Sequence, residues 1–200
     1  LERYGVAFGR NINAYTSVDE TVYNISNVPT NNENLIDSAL LVLHDWSNYL
    51  TLSSEEIDKE RGVIREEWRT RRSGRMRVYY EMRKYLYQGS KYAQRDVIGD
   101  TNVINNFDHQ VIRDFYHDYY RTDLQAIIVV GDIDADAVVE KIISKFSTIP
   151  AVDNPKERKY FEVPGNKEPI VGIITDPEES NIRFSLYFKH DATPFGAKNL

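Results

Sequence analysis

An α+β fold, with a mixed or antiparallel sheet packed against several helices and truncated at both ends, is what this sequence predicts. Three observations point to it. Residues 7–28 alternate polar and β-prone side chains around a short break. Segments with helical periodicity, three of them behind a capping residue, occupy much of the stretch from 31 to 146. Further apolar, β-rich segments lie at 126–130, 170–175 and 182–189, so strands and helices mix without strict alternation.

Asn11-Ile12-Asn13-Ala14-Tyr15-Thr16-Ser17 and Thr21-Val22-Tyr23-Asn24-Ile25-Ser26-Asn27-Val28 read as an antiparallel pair, with Val18-Asp19-Glu20 as the polar break. Pro29 ends the second strand, since it cannot donate to a ladder. Asn31 or Asn32 caps the next helix, whose Ile36, Ala39, Leu40, Leu43 and Leu50 follow helical spacing. Leu35, Val42, Trp46 and Tyr49 widen that stripe, which predicts burial over much of the circumference. Ser53 with Glu56 forms a capping box that opens a helix over 54–72. Gly74 interrupts or bends it, a second stretch runs over 76–87, and Gly89 supplies the stop. Residues 90–102 form a loop with a short extended piece at Val97-Ile98, and one helix is predicted over 103–120, ending in Phe115, Tyr116, Tyr119 and Tyr120. The apolar run 126–130 fits a strand covered on both faces. Asp134 then caps a helix with Val138, Ile142, Ile143 and Phe146 inward. Residues 151–169 are polar and proline-bearing, a linker by composition, and strands at 170–175 and 182–189 follow.

Composition narrows the function classes. Net charge is −6, from 25 Lys and Arg against 31 Asp and Glu, so a nucleic acid would meet an unfavourable overall field. No nucleic-acid partner is expected. The absence of cysteine rules out disulfides, thiolate nucleophiles and Cys-ligated zinc, but leaves the compartment open. No apolar run approaches the roughly 20 residues of a membrane span. The chain opens at Leu1 without a methionine and stops just after a strand-like segment, so it is expected to be an excised piece of a longer protein.

Several clusters invite a chemical reading. His44, His109, His117 and His190 never stand three or four positions apart, so no helical pair of histidines can grip a metal. Asp132-x-Asp134-x-Asp136 opens like a calcium loop, but Ala137 stands where glycine is needed and Ile143 where a bidentate glutamate belongs; a capped turn explains it better. Arg69, Arg71, Arg72, Arg75 and Arg77 could hold an acidic partner or form the solvated side of a helix. The strand around Asn13, Ala14 and Tyr15 has a polar, β-prone composition suited to a sheet edge. Such an edge either receives an extended peptide or is simply blunted for solubility. Glu60 and Glu67, seven residues apart in Glu60-Arg61-Gly62-Val63-Ile64-Arg65-Glu66-Glu67, share a helical face about 10.5 Å apart along the axis. That separation suits one ligand and a supporting acid, not two neighbouring ligands on one atom.

Asn13-Ala14-Tyr15-Thr16-Ser17-x-Asp19-x-Thr21-x-Tyr23, then Glu60-Arg61-x-Val63-Ile64-x-x-Glu67, resembles the pitrilysin/insulinase family of zinc metallopeptidases. The likeness continues in Tyr92-x-x-Arg95-x-x-Ile98-Gly99, Phe115-Tyr116-x-x-Tyr119-Tyr120 and Ile128-Val129-Val130-Gly131-Asp132, spanning roughly residues 1–150. The resemblance implies that Glu67 is a third zinc ligand beside two histidines of an inverted H-x-x-E-H helix, and that Glu60 is its supporting acid. It also implies that Asn13, Ala14 and Tyr15 lie beside a substrate whose backbone pairs with them. The glutamate of H-x-x-E-H would activate a metal-bound water for attack on the scissile carbonyl.

H-x-x-E-H is absent from these 200 residues, and with it two zinc ligands and the general base. The expectation is therefore a fragment from the amino-terminal half of a zinc metalloendopeptidase that cleaves peptides or unfolded polypeptides held as an extended strand. The fragment itself is expected to be inactive and not to bind zinc. Residues 1–150 would form a partial half-domain, 151–169 a linker, and 170–200 the first strands of a second, homologous half-domain that completes substrate binding. Exposed sheet edges could also pair between copies. Two alternatives stay open: a non-catalytic homologue or partner subunit of the same family, and a peptide-binding module.

Overall fold

The computed structural model describes residues 1–190; the end of the expected 170–200 segment lies outside them. The described residues form six α-helices and one two-stranded antiparallel sheet, an α+β architecture as the sequence predicts. No described helix is long and apolar enough to cross a membrane. The chain divides into two compact units. The first comprises Leu1–Glu60 and Asn106–Arg158, and the second Arg61–Asn105 with the described residues from Lys159 onward.

In the first unit, strands β1 (Ile12–Thr16) and β2 (Thr21–Ile25) pair antiparallel, with Ala14 opposite Tyr23 and Tyr15 opposite Val22. The Ser17 N–H donates to Glu20 O at 2.8 Å and closes the turn at Val18-Asp19. Helix α1 (Glu33–Asn48) is capped by Asn32, whose side chain accepts from the Asn34 N–H at 3.1 Å. Its buried residues are Leu35 and Leu40. Against it lies α6 (Ala135–Phe146), begun by Asp134, which accepts from the Ala137 N–H. Lys141 bonds Asp37 at 3.0 Å across this helix pair, and the His44 and Phe146 rings meet edge to face. Val138 is buried there, but Ile143, expected inward, is 60% exposed: the helix contacts its neighbour along a narrower stripe than its apolar residues cover.

Aromatic side chains tie the hairpin to the helices. The Tyr23 hydroxyl bonds that of Tyr120 at 2.6 Å, and the Tyr23 ring packs on Trp46 with centroids 5.4 Å apart. Burial, then the Tyr120 bond, pushes the Tyr23 phenol far above its ordinary range. The folded state thus holds that proton more tightly than the unfolded chain does. The anchor's contribution should be fully present below pH ~10 and decline as pH rises above that value. Tyr23→Phe should cost about 1 kcal/mol in urea unfolding at neutral pH, because one hydroxyl of the pair is lost and the other left without its partner.

Two helices replace the single one expected over 103–120: α4 (Thr101–Asn106) and α5 (His109–Tyr119). Asp108 is the reason, since it takes extended backbone angles and caps α5 by accepting from the Gln110 N–H at 2.8 Å. The run 126–130, expected as a strand covered on both faces, forms no ladder among the described residues, and Ile128 and Val130 are 84% and 92% exposed. Segments 170–175 and 182–189 likewise form no described strand, and Ile173 and Phe184 are exposed. A strand needs a partner for its backbone groups, and no described segment pairs with these three.

In the second unit, α2 (Ser54–Thr70), which starts in the first, is followed by α3 (Gly74–Leu86). The buried Arg83 donates to Tyr92 O at 2.7 Å and also to Arg95 O, so it organises the loop behind α3. Ser73 makes no side-chain cap to α3; Glu178 does so instead, accepting from the Gly74 N–H at 2.9 Å. Asp176 takes a two-point bond from Arg77 at 2.7 Å for each contact. A Cβ at Gly74 would lie 2.8 Å from both Asp176 Oδ1 and Glu178 Cβ, so only glycine admits this approach. Gly74→Ala should therefore cost about 1–3 kcal/mol, read as a lower denaturation midpoint with an unchanged denaturant slope. The Arg77 guanidinium holds the Asp176 carboxyl below the usual carboxylate range. The stability this contact adds is present at neutral pH and should be lost progressively as pH falls below about 4, more steeply in wild type than in Asp176→Asn.

Candidate functional site

The open edge of β1 is built by pairing alternation. Bonds from Ser17 N to Glu20 O and from Ser26 N to Asn11 O, both 2.8 Å, frame the hairpin. Bonded pairs alternate inward from them, so Asn13 and Tyr15 spend their backbone groups on β2. Ala14 and Thr16 direct theirs away from β2. Ile12 has the same orientation, but its N–H donates to Ala7 O at 3.3 Å and its carbonyl accepts from Gly9 N at 3.0 Å. Among the described residues the open edge therefore begins at Ala14. Asn13, Ala14, Tyr15 and Thr16 are all exposed, and Ile12 is buried. Tyr23, directly opposite Ala14, is the residue anchored to Tyr120.

The paired glutamates ride on α2. Ser53 Oγ accepts from the Glu56 N–H at 3.3 Å, the first half of the expected capping box. Glu56 itself turns to Lys59 at 2.8 Å instead of completing it. Glu60 is exposed, whereas Glu67 is 37% exposed and pairs with Arg71 one turn on. Glu66 is held by Arg69 at 2.6 Å, and Arg72 lies over the Trp68 ring at 3.8 Å. With Arg77 on Asp176, most of the basic run is engaged within its own unit. Asn13, Ala14, Tyr15 and Glu60 belong to the first unit and Glu67 to the second.

Among the described residues no three His, Asp or Glu side chains group closely enough to hold a metal ion. A catalytic zinc takes three protein ligands. The described residues do not fit a whole zinc site. Two of the four histidines make contacts of another kind: His44 stacks on Tyr49 at 4.8 Å, and His109 bonds Asp58 at 2.7 Å. Sequence reasoning missed Arg113, which bonds the backbone just ahead of α2, and Leu52, whose strained backbone it holds.

Residues 1–95 match the model of the insulinase (peptidase M16) family, and residues 106–193 match that of the peptidase M16 inactive domain. Two curated relatives are each called probable zinc protease PqqL. The one from Haemophilus influenzae is 37% identical over 82% of this chain and 18% of its own length. The one from Escherichia coli is 32% identical over 94% of this chain and 20% of its own. The chain thus spans about a fifth of the length of these relatives. The crystal structure of the first half of the periplasmic protease PqqL from Escherichia coli superposes with a TM-score of 0.74 and 34% identity, covering 79% of this chain and 34% of that one. The ferredoxin protease FusC, in complex with Arabidopsis ferredoxin, gives 0.73 at 27% identity, covering 81% of this chain and 18% of that one.

Proposed function

The chain belongs to the M16 insulinase family of peptidases, and from that premise we propose that it is part of a zinc metalloendopeptidase that hydrolyses peptides or unfolded polypeptides bound as an extended strand. Glu67 supplies one zinc ligand and Glu60 is the acid that supports it; the remaining ligands and the general base come from elsewhere in the longer protein. Asn13, Ala14 and Tyr15 form the strand against which substrate pairs. Residues 1–150 are part of the amino-terminal half, 151–169 a connector, and 170–200 the opening of a homologous second half that completes substrate binding. The observation that carries the reading is the half-buried Glu67 carboxylate, seven residues beyond Glu60 on one helix. The open backbone at Ala14 supports the substrate side of it.

The 200 residues alone should not cleave peptides, because their sequence holds no H-x-x-E-H. Fluorescein-labelled denatured casein provides the test. The longer protein should release dye in a manner stopped by a zinc chelator, and the isolated chain should release none; zinc-dependent cleavage by the isolated chain would refute the assignment. A second reading, a non-catalytic subunit of the same family, draws on the match of residues 106–193 to the inactive-domain model. It expects a longer protein with neither zinc nor peptidase activity.

A further inference from the structure

Three residues other than glycine sit at positive φ among the described residues. Two are Asn27 and Asn154, a residue type that tolerates the left-handed region. The third is Leu52 at φ 44°, in the link between α1 and α2. A leucine has no local reason to adopt that conformation, so its surroundings must impose it. Those surroundings come from α5. Arg113 Nε donates to Leu52 O at 3.1 Å, and a terminal nitrogen of the same guanidinium donates to Ser54 Oγ at 2.8 Å. Ser54 is the first residue of α2. A planar guanidinium that binds two successive points of the chain fixes direction as well as position, which a single ammonium cannot do.

Two further contacts from α5 flank this one. The Tyr116 hydroxyl accepts from the Leu50 N–H at 3.3 Å and donates to Trp46 O at 2.7 Å, which pins the end of α1. His109 Nε2 bonds Asp58 one turn into α2 at 2.7 Å. One face of α5 therefore holds the link and the first turn of α2, and Glu60 follows Asp58 by two residues.

We infer that Arg113 is a positioning residue: by locking Leu52 in the left-handed region and gripping Ser54, it sets the direction of the opening turns of α2, which carry Glu60. This rests on the peptidase reading above. Helix direction matters there because an error of an ångström at reacting groups costs about 100-fold in rate.

The test uses the longer protein carrying Arg113→Ala, Arg113→Lys, Arg113→Ala with Leu52→Gly, or Glu67→Gln. Casein cleavage gives kcat and KM, thermal unfolding gives the folded fraction, and amide hydrogen exchange reports on residues 52–60. Arg113→Ala should lower kcat about 10-fold with KM within about twofold, at a temperature where the protein is fully folded. Exchange over 54–60 should quicken. Arg113→Lys should fall between the two. Leu52→Gly should restore part of kcat in the Arg113→Ala background, since glycine holds positive φ without a Cβ penalty. Unchanged kcat in Arg113→Ala while Glu67→Gln abolishes activity would overturn the inference, as would a loss that merely follows the folded fraction. Should Glu67→Gln retain full activity, the zinc-ligand role proposed for Glu67 fails instead. Exchange over 54–60 then decides the clamp by itself, and unchanged exchange in Arg113→Ala refutes it.

Discussion

Glu67→Gln in the longer protein should reduce peptide cleavage by more than about 100-fold. Outer residues that merely support a metal ligand already cost 10- to 100-fold when replaced, and a ligand should cost more. Glutamine keeps the size and helix propensity of glutamate, so the helix and its neighbours should persist. What it removes is the negative charge that a hard oxygen ligand brings to a divalent ion. Glu67 pairs with Arg71, whose own side chain is largely exposed, so the pair is weak and exchangeable in water. Arg71→Ala should therefore leave cleavage within about threefold, while Glu60→Gln, at an exposed position two turns earlier in α2, should fall in the 10- to 100-fold range. The three variants together separate a ligand, its supporter and a bystander. Equal losses in all three would point to general damage to α2.

Ala14→Pro should raise KM by about 10- to 100-fold with little change in hairpin stability. The Ala14 N–H points away from β2, so proline there removes no bond of the β1–β2 ladder. An incoming strand would lose the bond to this N–H, and its carbonyl would be left unsatisfied against a bulky ring, a cost of about 1–3 kcal/mol. Proline at Tyr15 is the contrasting variant, because the Tyr15 N–H is spent on Val22. That change should destabilise the hairpin itself, visible as a lower thermal midpoint before any assay. If Ala14→Pro leaves KM unchanged, substrate does not pair along this edge.

What the sequence made legible was local chemistry. Asn32, Ser53 and Asp134 could be read as helix caps because a cap is made by residues two or three positions away, and each makes that bond. The hairpin followed from alternation together with a short polar break at Val18-Asp19-Glu20. Asp108 carried the same signal as the other caps, yet the apolar rhythm of residues 103–120 obscured it. Contacts distant in sequence left no trace of this kind. Nothing near Ser73 announces that α3 is capped by Glu178, about a hundred residues on, and nothing near Leu52 announces that Arg113 holds its backbone. The run 126–130 shows the opposite failure. Its composition calls for two covered faces, but cover is a property of neighbouring segments, and among the described residues these do not supply it. At the candidate site the residue types and their spacing were readable in the sequence. The orientation of the Ala14 backbone and the engagement of most of the basic run were not, because both depend on what each group pairs with.

Zinc content of the longer protein, purified and exchanged into metal-free buffer, bears most directly on Glu67. Wild type should retain about one zinc per chain by mass spectrometry of the element, as a three-ligand site requires, and Glu67→Gln should retain far less while unfolding at a similar temperature. Equal zinc in the two proteins would mean that this carboxylate holds no metal, and the role assigned to α2 would be wrong.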